Sequence, residues 1–521
     1  MTREFSPKPF DETWDVLVVG FGFAGAASAI AAHDAGARVL LIEKMPDPGG
    51  ISICAGGGVR SITDLPRGRE YIRHSAGPDV PDVVLDAISS GMTELEAYFR
   101  ELAKVNGAEI VLRDRGGNYP FPGHDALGIV EVASIPGFDA RKEYPHARGR
   151  LLGPNVFKLL HDNIRSRGIE VRLSTAAERL ITESGEVTGA VVRQGDAVSR
   201  IAARRGVILA TGGFEADPEF QRKYWQIRPV LPVATRGNTG DGIRMAQAVG
   251  ADLWHMWNFH GSYGFRHPDP DYPYALRVKR LPDWTPQVRE PDVRMSWIIL
   301  DSTGRRFMNE YHPYVQDTGH RPLDEFDPVT QKFPKIPAYL ILDEEGRKLY
   351  PLGQAVVNDS SVEPYEWSGD NLREVENGIL KRADTVEELA ALIGADPKVL
   401  AESLDRWNAS VEAEEDTAFG RPGGSLFAVK QAPFYVGTLW PVVNNTQGGP
   451  VHDEKQRVIN AHGEVIPRLY EAGEIGSIWG FLYLGAGNLA ECFVTGQIAG
   501  KEAASQSDWT ESASKLLAVS Q

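Results

Sequence analysis

A short apolar run followed by three spaced glycines dominates the start of the chain. Residues 15–19, DVLVV, are rich in β-branched side chains and predict a buried parallel strand. Gly20, Gly22 and Gly25 follow in the spacing G-x-G-x-x-G, and the alanine-rich segment after them predicts a helix that Gly36 ends. This order of strand, tight turn and helix predicts the first βαβ unit of an α/β fold.

Each glycine of this turn has its own physical role. Gly20 permits the tight turn, Gly22 lets the backbone approach a pyrophosphate, and Gly25 lets the helix pack closely on the strand. The helix N-terminus directs its N–H groups at the phosphate charge. The second strand, RVLLIEK, ends near Glu43, whose carboxylate would accept hydrogen bonds from a ribose diol. We therefore predict a dinucleotide site; the alternative is a glycine-rich turn that binds no ligand.

Length and composition restrict the class of protein. A chain of 521 residues is too long for one ordinary domain and predicts two, one of them interrupting the other. The only cysteines, Cys54 and Cys492, exclude a disulfide framework, a cysteine-rich zinc site and a cysteine-ligated iron–sulfur cluster. The histidines lack ligand spacing, so we predict no metal. A net charge of −16 argues against nucleic acid and anionic membrane surfaces as partners.

The N-terminal residues argue against export. They are charged and carry no apolar core, unlike a signal peptide. No apolar run approaches the ~20 residues that span a bilayer. We therefore expect a soluble, cytoplasmic protein without a membrane span.

Three further segments place glycines beside predicted strands. PGGISICAGGG begins at residue 48, GVILATGGFE begins at residue 206, and RLYEAGEIG covers residues 468–476. A second glycine cluster so close to the ribose acid suits a loop that passes a large flat ring, which favours FAD over NAD. The alternative is that these glycines only mark loops.

Together these segments resemble the flavoprotein family of fumarate reductases and 3-ketosteroid dehydrogenases. The resemblance covers nearly the whole chain and includes NTGDGIRMAQAVGADL, GRRFMNE, TQGGPVHD and LYEAGE. It implies an α/β fold in which a Rossmann-like FAD-binding domain, residues 1–257 and 434–521, is interrupted by a smaller α+β cap domain, residues 258–433. It also implies non-covalent FAD, because Ile51 stands where covalent-flavin members carry the histidine that bonds to the ring.

The same resemblance implies which residues contact the cofactor. They lie on the glycine-rich segments, on the acids that end strands and at the start of the last helix. The expected set is Gly20, Gly22, Ala24, Gly25, Glu43, Lys44, Gly50, Ser52, Ala55, Gly56, Gly57, Ala177, Thr211, Gly212, Gly213, Gly240, Asp241, Glu474, Asn488 and Leu489. The helix that begins near Leu489 is expected to direct its positive end at the flavin pyrimidine carbonyl.

Two tyrosines stand where fumarate reductases carry their two most important arginines. A gap-free alignment places Tyr314, after GRRFMNE, at the proton-delivering arginine, and Tyr483, in YLGAGNLAE, at the arginine that clamps a carboxylate. A dicarboxylate needs a bidentate cationic fork, which two phenols cannot supply. In the 3-ketosteroid dehydrogenase branch tyrosines occupy both positions, and its Tyr-x-Gly-x-Gly loop is similar to this one.

The implied reaction is desaturation of a cyclic ketone, a 3-ketosteroid or a smaller cyclohexanone-type compound. Tyr483 and the N–H of Gly487 hydrogen-bond the ketone oxygen, which acidifies the α C–H. Tyr314 takes the α proton, and the β hydrogen leaves as hydride to the flavin. A phenol titrates near pH ~10, so Tyr314 needs a neighbour that stabilises its anion. His312, Arg305 and His320 are candidates by their place in the sequence.

The sequence allows two interpretations for several aromatic residues. Tyr119, in GGNYPFPGHD, either lines the pocket or is a loop aromatic. The stretch LWHMWNFHGSYGF, residues 253–265, is either an apolar wall for the substrate or packing between domains. Tyr314 and Tyr483 could likewise be ordinary packed aromatics.

Two other functions stay open from the sequence. A reductase of an activated C=C bond, similar to a fumarate, urocanate or enone reductase, would run the same chemistry in reverse; the absence of haem and iron–sulfur ligands argues against it. A flavin-based redox sensor or electron carrier is the non-catalytic alternative. The electron acceptor is unknown, and oxygen, a quinone and another flavoprotein are all compatible.

Overall fold

The computed structural model describes residues 9–149, 152–287, 293–311 and 320–510. Its strands are β1 (Glu12–Val19), β2 (Val39–Ile42), β3 (Val59–Ile62), β4 (Glu109–Arg113), β5 (Leu127–Ser134), β6 (Ala147–Arg148), β7 (Glu170–Arg172), β8 (Thr175–Glu183), β9 (Glu186–Gln194), β10 (Ala197–Leu209), β11 (Leu231–Pro232), β12 (Leu253–Trp254), β13 (Phe259–Phe265), β14 (Leu276–Val278), β15 (Ile298–Leu300), β16 (Ala338–Asp343), β17 (Gly353–Ala355), β18 (Val357–Asn358), β19 (Leu380–Ala383), β20 (Phe434–Thr446), β21 (Gly449–Pro450), β22 (Arg457–Ile459) and β23 (Val465–Glu471).

The helices of the described residues lie mostly between these strands. They are α1 (Phe23–Asp34), α2 (Leu65–Ala76), α3 (Asp82–Thr93), α4 (Leu95–Ala103), α5 (Ala140–Glu143), α6 (Gly153–Ser166), α7 (Pro218–Tyr224), α8 (Asp241–Ala248), α9 (Glu344–Arg347), α10 (Leu372–Glu376), α11 (Val386–Ile393), α12 (Pro397–Glu412) and α13 (Gly487–Ser505).

The first sheet contains the predicted βαβ unit. Its strands follow the order β22-β23-β10-β1-β2-β7, with β8 and β9 added at the side of β10. The strands β7, β2, β1, β10 and β23 are parallel, whereas β8, β9 and β10 form an antiparallel meander. The Rossmann-like α/β fold predicted from the sequence is confirmed.

Both faces of β1 are buried, which explains why its sequence is continuously apolar. Val16 and Val18 belong to one hydrophobic cluster, and Leu17 and Val19 belong to the other. A parallel strand covered on both sides needs apolar residues at every position. Helix α1 covers the first of these faces, and its alanines join the same cluster as Val16 and Val18.

Helix α1 packs against the final helix, α13, along a row of small residues. A Cβ atom added to Gly496 would lie 2.8 Å from the Ala24 oxygen, and one added to Gly500 would lie 2.4 Å from the Ser28 oxygen. Glycine at these two positions therefore lets the helix backbones approach closely. This contact brings the start of α13 to the same edge of the sheet as the start of α1.

The second sheet is built mainly from the middle of the chain. Its order is β15-β16-β20-β13-β14-β17, and β11 and β19 also pair with β20. Strand β20, Phe434–Thr446, pairs with β13, β16 and β19, so by sheet membership it belongs with the inserted segment. The proposed domain limits of 258 and 433 stay a prediction, and the sheet continues beyond the second of them.

Three smaller sheets contain the remaining described strands. Strands β3, β5 and β4 form a three-stranded antiparallel sheet, and β12–β21 and β18–β6 are short pairs. Within the described ranges, no helix is both long and apolar enough to cross a membrane.

Candidate functional site

A cavity of about 570 Å³ lies where the two sheets meet. Val19, Glu43, Ala210 and Ala472 line it, and each stands at or just after the carboxyl end of a parallel strand of the first sheet. His260 of β13 is among the residues that line it from the second sheet. The crevice outside the carboxyl ends of parallel strands is where α/β folds bind their ligands.

Most of the residues predicted to contact the cofactor line this cavity. They are Gly20, Gly22, Ala24, Glu43, Lys44, Gly50, Ser52, Ala55, Gly56, Ala177, Thr211, Gly212, Asp241, Glu474, Asn488 and Leu489. Tyr483, predicted to bind substrate, lines it as well. These segments are far apart in the sequence, and the fold brings them to one surface.

The cavity lining does not include six other predicted residues: Gly25, Gly57, Tyr119, Gly213, Gly240 and Gly487. At Gly25 the absence of a side chain lets the helix approach the turn closely, because a Cβ atom there would lie 1.8 Å from the Gly20 oxygen. A Cβ atom on Gly213 would lie 2.4 Å from Glu474 Oε1, so this glycine makes room for that carboxyl group. Tyr314 lies outside the described residues.

The first turn leaves open space for a phosphate. Gly20 has a φ of +105°, and a Cβ atom there would lie 2.3 Å from the Ala210 oxygen, so only glycine fits. At Gly22 the nearest atom to an added Cβ is Ser52 Oγ at 3.5 Å, which leaves the backbone accessible. Helix α1 begins at Phe23, so its first N–H groups face this space.

Glu43 is held as a hydrogen-bond acceptor at the end of β2. Its Oε2 accepts from the Phe21 N–H at 2.9 Å, and its Oε1 accepts from the Met45 N–H at 2.8 Å. Burial raises the pKa of Glu43, whereas these backbone donors act in the opposite direction. Next to it, Lys44 Nζ lies 2.6 Å from Asp241 Oδ2, which ties the end of β2 to the start of α8.

Two polar atoms on the cavity wall fit the hydroxyl and carbonyl groups of a flavin nucleotide. Thr211 Oγ1 and Asn488 Oδ1 are buried, and neither has a hydrogen-bond partner among the described residues. Buried polar atoms of this kind are normally satisfied, so both point to a ligand. With the phosphate space at Gly22 and the acceptor Glu43, the residues present fit FAD.

Glu474 belongs to a pair of buried acids beside this wall. Its Oε1 accepts from the Thr446 N–H at 2.7 Å, and Asn238 Nδ2 donates to Glu215 Oε1 at 2.7 Å. Burial raises the pKa of both Glu215 and Glu474, and in Glu215 the nearby Glu474 raises it further. The raised pKa values of these two carboxyl groups favour a protonated acid next to the cofactor site.

Tyr483 is held in the cavity wall by its own loop and by a histidine. Its ring stacks on His260, with ring centroids 3.6 Å apart and an interplanar angle of 7°. His260 Nδ1 lies 2.9 Å from Asn445 Oδ1, an acceptor, so Nδ1 carries the proton. The Ala486 N–H donates to the Tyr483 hydroxyl oxygen at 3.3 Å.

The other two residues predicted around Tyr483 occupy supporting positions. Tyr119 is fully buried, and its hydroxyl donates to the Tyr483 carbonyl oxygen at 2.5 Å. The Gly487 N–H donates to the Leu484 oxygen at 2.6 Å, so in this structure it is used inside the loop. The expected donation from Gly487 to a ketone stays a prediction.

Two of the residues proposed to assist Tyr314, Arg305 and His320, do not line the cavity, and His312 lies outside the described residues. Arg305 is exposed. His320 is buried and stacks on Phe259, with centroids 3.8 Å apart. Burial lowers the pKa of His320 to about 3, with a smaller effect from Arg321, so its imidazole stays neutral at physiological pH.

Sequence reasoning missed a group of basic residues on this wall. Arg60, Arg115, Arg277, Lys279 and Arg280 all line the cavity. The segment LRVKR, which places one cation in β14 and two directly after it, was the available signal. His260 was also missed as a site residue, because its segment was considered only as an apolar wall or as packing between domains.

Comparison with known proteins places the chain in a family. The FAD binding domain family matches residues 15–489. A fumarate reductase (cytochrome) of Shewanella frigidimarina is 29% identical over 95% of this chain and 78% of its own length. A 3-oxosteroid 1-dehydrogenase of Mycolicibacterium smegmatis is 28% identical over 91% of this chain and 94% of its own length.

Solved structures show the same fold. A 3-ketosteroid Δ1-dehydrogenase from Sterolibacterium denitrificans, in complex with 1,4-androstadiene-3,17-dione, superposes with a TM-score of 0.79 at 22% identity, covering 95% of this chain and 99% of that one. The open form of a flavocytochrome c3 fumarate reductase gives a TM-score of 0.67 at 24% identity, covering 95% and 78%. The chain belongs to the FAD binding domain family and is an FAD-dependent oxidoreductase related to fumarate reductases and 3-oxosteroid 1-dehydrogenases.

Proposed function

We propose that this enzyme introduces a C=C bond next to the carbonyl of a cyclic ketone. The observation that carries the proposal is the position of Tyr483, whose phenol stands in the same cavity wall as the residues that fit FAD. A phenol hydrogen-bonds a neutral carbonyl oxygen well, whereas it is a poor partner for a dicarboxylate. The related 3-oxosteroid 1-dehydrogenase gives the chemical precedent.

Tyr483 would act on the ketone oxygen. Its hydroxyl donates to the oxygen as negative charge develops there, and the Ala486 N–H supports the phenol oxygen from behind. Stacking on His260 fixes the ring, so little reorganisation is needed when the ketone binds. The charge on the ketone oxygen acidifies the neighbouring α C–H.

Arg60 is hydrogen-bonded to the loop that carries Tyr483 and would strengthen the polarisation of the ketone by this phenol. Its Nε donates to the Gly485 oxygen at 2.9 Å, and its Nη1 donates to the Arg115 oxygen at 2.8 Å. The side chain is buried, and burial lowers its pKa, while Tyr71, Asp283 and Tyr483 act in the opposite direction. A desolvated cation close to Tyr483 favours negative charge at the phenol and at its bound ketone.

Tyr314 would take the α proton, a role that rests on the family resemblance alone. When bound, FAD supplies a two-electron acceptor for the hydride that leaves the β carbon. One proton and one hydride thus leave the ketone, and an α,β-unsaturated ketone remains. Because Ile51 lines the cavity and has no nucleophilic atom, we propose that FAD is bound without a covalent link at this position.

An anaerobic titration of the holoenzyme tests the proposal. A 3-ketosteroid, a 4-substituted cyclohexanone and succinate are added separately, and the visible band of oxidised flavin is followed. Bleaching by a ketone and not by succinate is the expected result. Bleaching by succinate alone would overturn the proposal.

One observation favours a second candidate, reduction of an activated C=C bond that carries a carboxylate. The basic residues Arg277, Lys279 and Arg280 supply the cationic partners that the two tyrosine positions lack. Reoxidation of chemically reduced enzyme by fumarate or another enoate, faster than by an enone, would support this candidate over the first.

A further inference from the structure

Four side chains form a row of hydrogen bonds that leads from the cavity to the buried side of α13. Asn488 lines the cavity and donates through Nδ2 to Gln447 Oε1 at 3.1 Å. Ser477 Oγ lies 2.8 Å from the same oxygen of Gln447 and 2.8 Å from Glu491 Oε2. We call these four residues the polar row. It connects Glu491, which is not among the residues that line the cavity, with a side chain that faces the cofactor site.

The Ser477 hydroxyl has one proton, yet it stands between two oxygen atoms. If it donates to Gln447 Oε1, its contact with Glu491 Oε2 needs a proton from the acid. A carboxylate has no proton to donate, whereas a protonated carboxylic acid has one. The arrangement in which Gln447 turns its oxygen toward Ser477 therefore requires a proton on Glu491.

The environment of Glu491 favours this proton. The side chain is 1% exposed, and its Oε1 accepts from the Ile478 N–H at 2.8 Å. Burial raises the pKa of Glu491 to about 8, against the opposing effect of Ile478 and Ser477, and the nearby Glu474 raises it further. The acid is therefore protonated at neutral pH, as the polar row requires.

The other titratable groups around Glu491 are acids or neutral groups. They are the acids Glu471 and Glu474, the thiol of Cys492 and the imidazoles of His255 and His452. Burial lowers the pKa of both imidazoles and raises that of the thiol, so all three are neutral near pH ~7. Among the described residues, no lysine or arginine lies within ion-pair distance of Glu491. Its charge state is thus coupled most directly to Ser477.

An ionised Glu491 would reverse the direction of every hydrogen bond in the polar row. Ser477 would then donate to the carboxylate, Gln447 would present Nε2 to Ser477, and Asn488 would accept through Oδ1. Gln447 Nε2 and Asn488 Oδ1 have no hydrogen-bond partner in the part of the chain that the structure describes, so no second contact holds either amide in its present direction. The Asn488 group that is left for the cofactor is Oδ1 in the first arrangement and Nδ2 in the second.

We propose that Glu491 is a positioning residue for the flavin, because its protonation decides whether Asn488 offers an acceptor or a donor to the cofactor. FAD binding follows from the family, so the inference goes beyond the proposed reaction and does not depend on the ketone. Reduction adds electrons to the isoalloxazine ring, and a donor stabilises the added negative charge better than an acceptor does. The two directions of Asn488 should therefore give different redox potentials.

Glu491→Gln tests the role of the proton in the holoenzyme. The glutamine amide donates to Ser477 as the protonated acid does, its oxygen accepts from the Ile478 N–H, and the side chain does not titrate. We expect its flavin midpoint potential to match the wild type near pH ~6 and to lie below the wild type near pH ~9, on either side of the pKa of Glu491. The expected difference is about 10-fold in relative affinity for the two redox states, or about 30 mV for two electrons.

Gln447→Met shows whether the polar row carries the effect. The substitution cuts the row between Ser477 and Asn488, while Ser477 keeps its contact with Glu491. The upward departure of the wild-type potential at alkaline pH should disappear. Repulsion through space by an ionised Glu491 would survive this cut and would lower the potential instead of raising it. Gln497→Met is the matched control, since Gln497 lies on the same helix outside the row and donates to the Phe493 oxygen at 3.2 Å.

Infrared difference spectra detect the proton independently of the potential. In the difference between wild type and Glu491→Gln, the carbonyl stretch of a protonated carboxylic acid should appear at neutral pH. It should vanish as the pH rises through about 8. This measurement keeps the inference testable if Gln447→Met binds FAD poorly.

The outcomes decide the inference without reference to the proposed reaction. Parallel potential profiles in wild type and Glu491→Gln would overturn it, as would a wild-type potential below that of Glu491→Gln at alkaline pH. Retention of the upward departure in Gln447→Met would also overturn it. Absence of the infrared band at neutral pH would show that Glu491 is ionised and would remove the proton from the row. None of these measurements uses a ketone, so a failure of the proposed function leaves them unaffected.

Discussion

The ring of Tyr483 lies flat on the imidazole of His260, with centroids 3.6 Å apart. His260 lies on β13 of the second sheet and Tyr483 in the loop before α13, more than two hundred residues apart in the sequence. His260 is itself fixed by Asn445 Oδ1 at 2.9 Å. The stacked pair therefore links the glycine-rich loop before α13 to the second sheet and sets the direction of the phenol.

Replacement of Tyr483 by phenylalanine tests the role of its hydroxyl. The ring and its stacking on His260 are retained, whereas the donor to the ketone oxygen is lost. We expect turnover with the preferred ketone to fall at least ~100-fold, with FAD content unchanged. Tyr224→Phe, a change outside the cavity, is the control. A Tyr483→Phe enzyme with near-normal turnover would remove the phenol from the mechanism.

Tyr119 should act as a positioning residue. Its hydroxyl donates to the Tyr483 carbonyl oxygen at 2.5 Å, and it does not line the cavity. Tyr119→Phe leaves that part-buried oxygen without this donor, which costs about 1–3 kcal/mol of unfolding free energy. We expect a lower melting temperature and a smaller fall in turnover than in Tyr483→Phe. A larger fall, with unchanged stability, would place Tyr119 in direct contact with the substrate.

Gly22→Ala should weaken FAD binding without disturbing the fold. An added Cβ would meet no protein atom closer than Ser52 Oγ at 3.5 Å, but it would stand in the space for the pyrophosphate. We expect the purified variant to carry less FAD while its circular dichroism is unchanged. Gly369→Ala is the matched control, since nothing lies within 4 Å of its added Cβ. Full FAD occupancy in Gly22→Ala would move the phosphate site elsewhere.

Glu491 should make stability depend on pH. The side chain is 1% exposed, accepts from Ser477 Oγ and the Ile478 N–H at 2.8 Å each, and has its pKa raised to about 8 by burial. The folded state thus keeps a proton that the unfolded chain releases near its ordinary pKa of ~4.3. Its contribution to stability is complete below the unfolded pKa and is lost as the pH rises toward about 8.

Denaturant unfolding at several pH values measures this effect. In the wild type the unfolding free energy should fall by up to about 1.4 kcal/mol per pH unit through Glu491 between the two pKa values. Glu491→Gln should flatten the slope by that amount. Glu412→Gln, at a side chain that is 74% exposed, should leave the slope unchanged. Parallel slopes in wild type and Glu491→Gln would show that this carboxyl group is ionised in the folded protein.

The sequence by itself determined the FAD-binding half of the protein. The run DVLVV, the turn at Gly20 and Gly22 and the acid Glu43 are local features, and their spacing specifies strand, turn and helix before any distant contact forms. The structure places these residues, with the later segments at Thr211 and Glu474, on one cavity wall. Local sequence specifies local backbone geometry, and this part of the protein could therefore be predicted.

Only the tertiary structure decided what surrounds Tyr483. Nothing near Tyr483 in the sequence predicts its stacking on His260, and nothing near Arg60 predicts that it lies with Arg277 and Lys279. Those neighbours are set by the register of β13 against β14 and by the packing of the second sheet on the first. Charge in a cavity is the sum over side chains from distant segments, and a sequence alone does not say which of them converge.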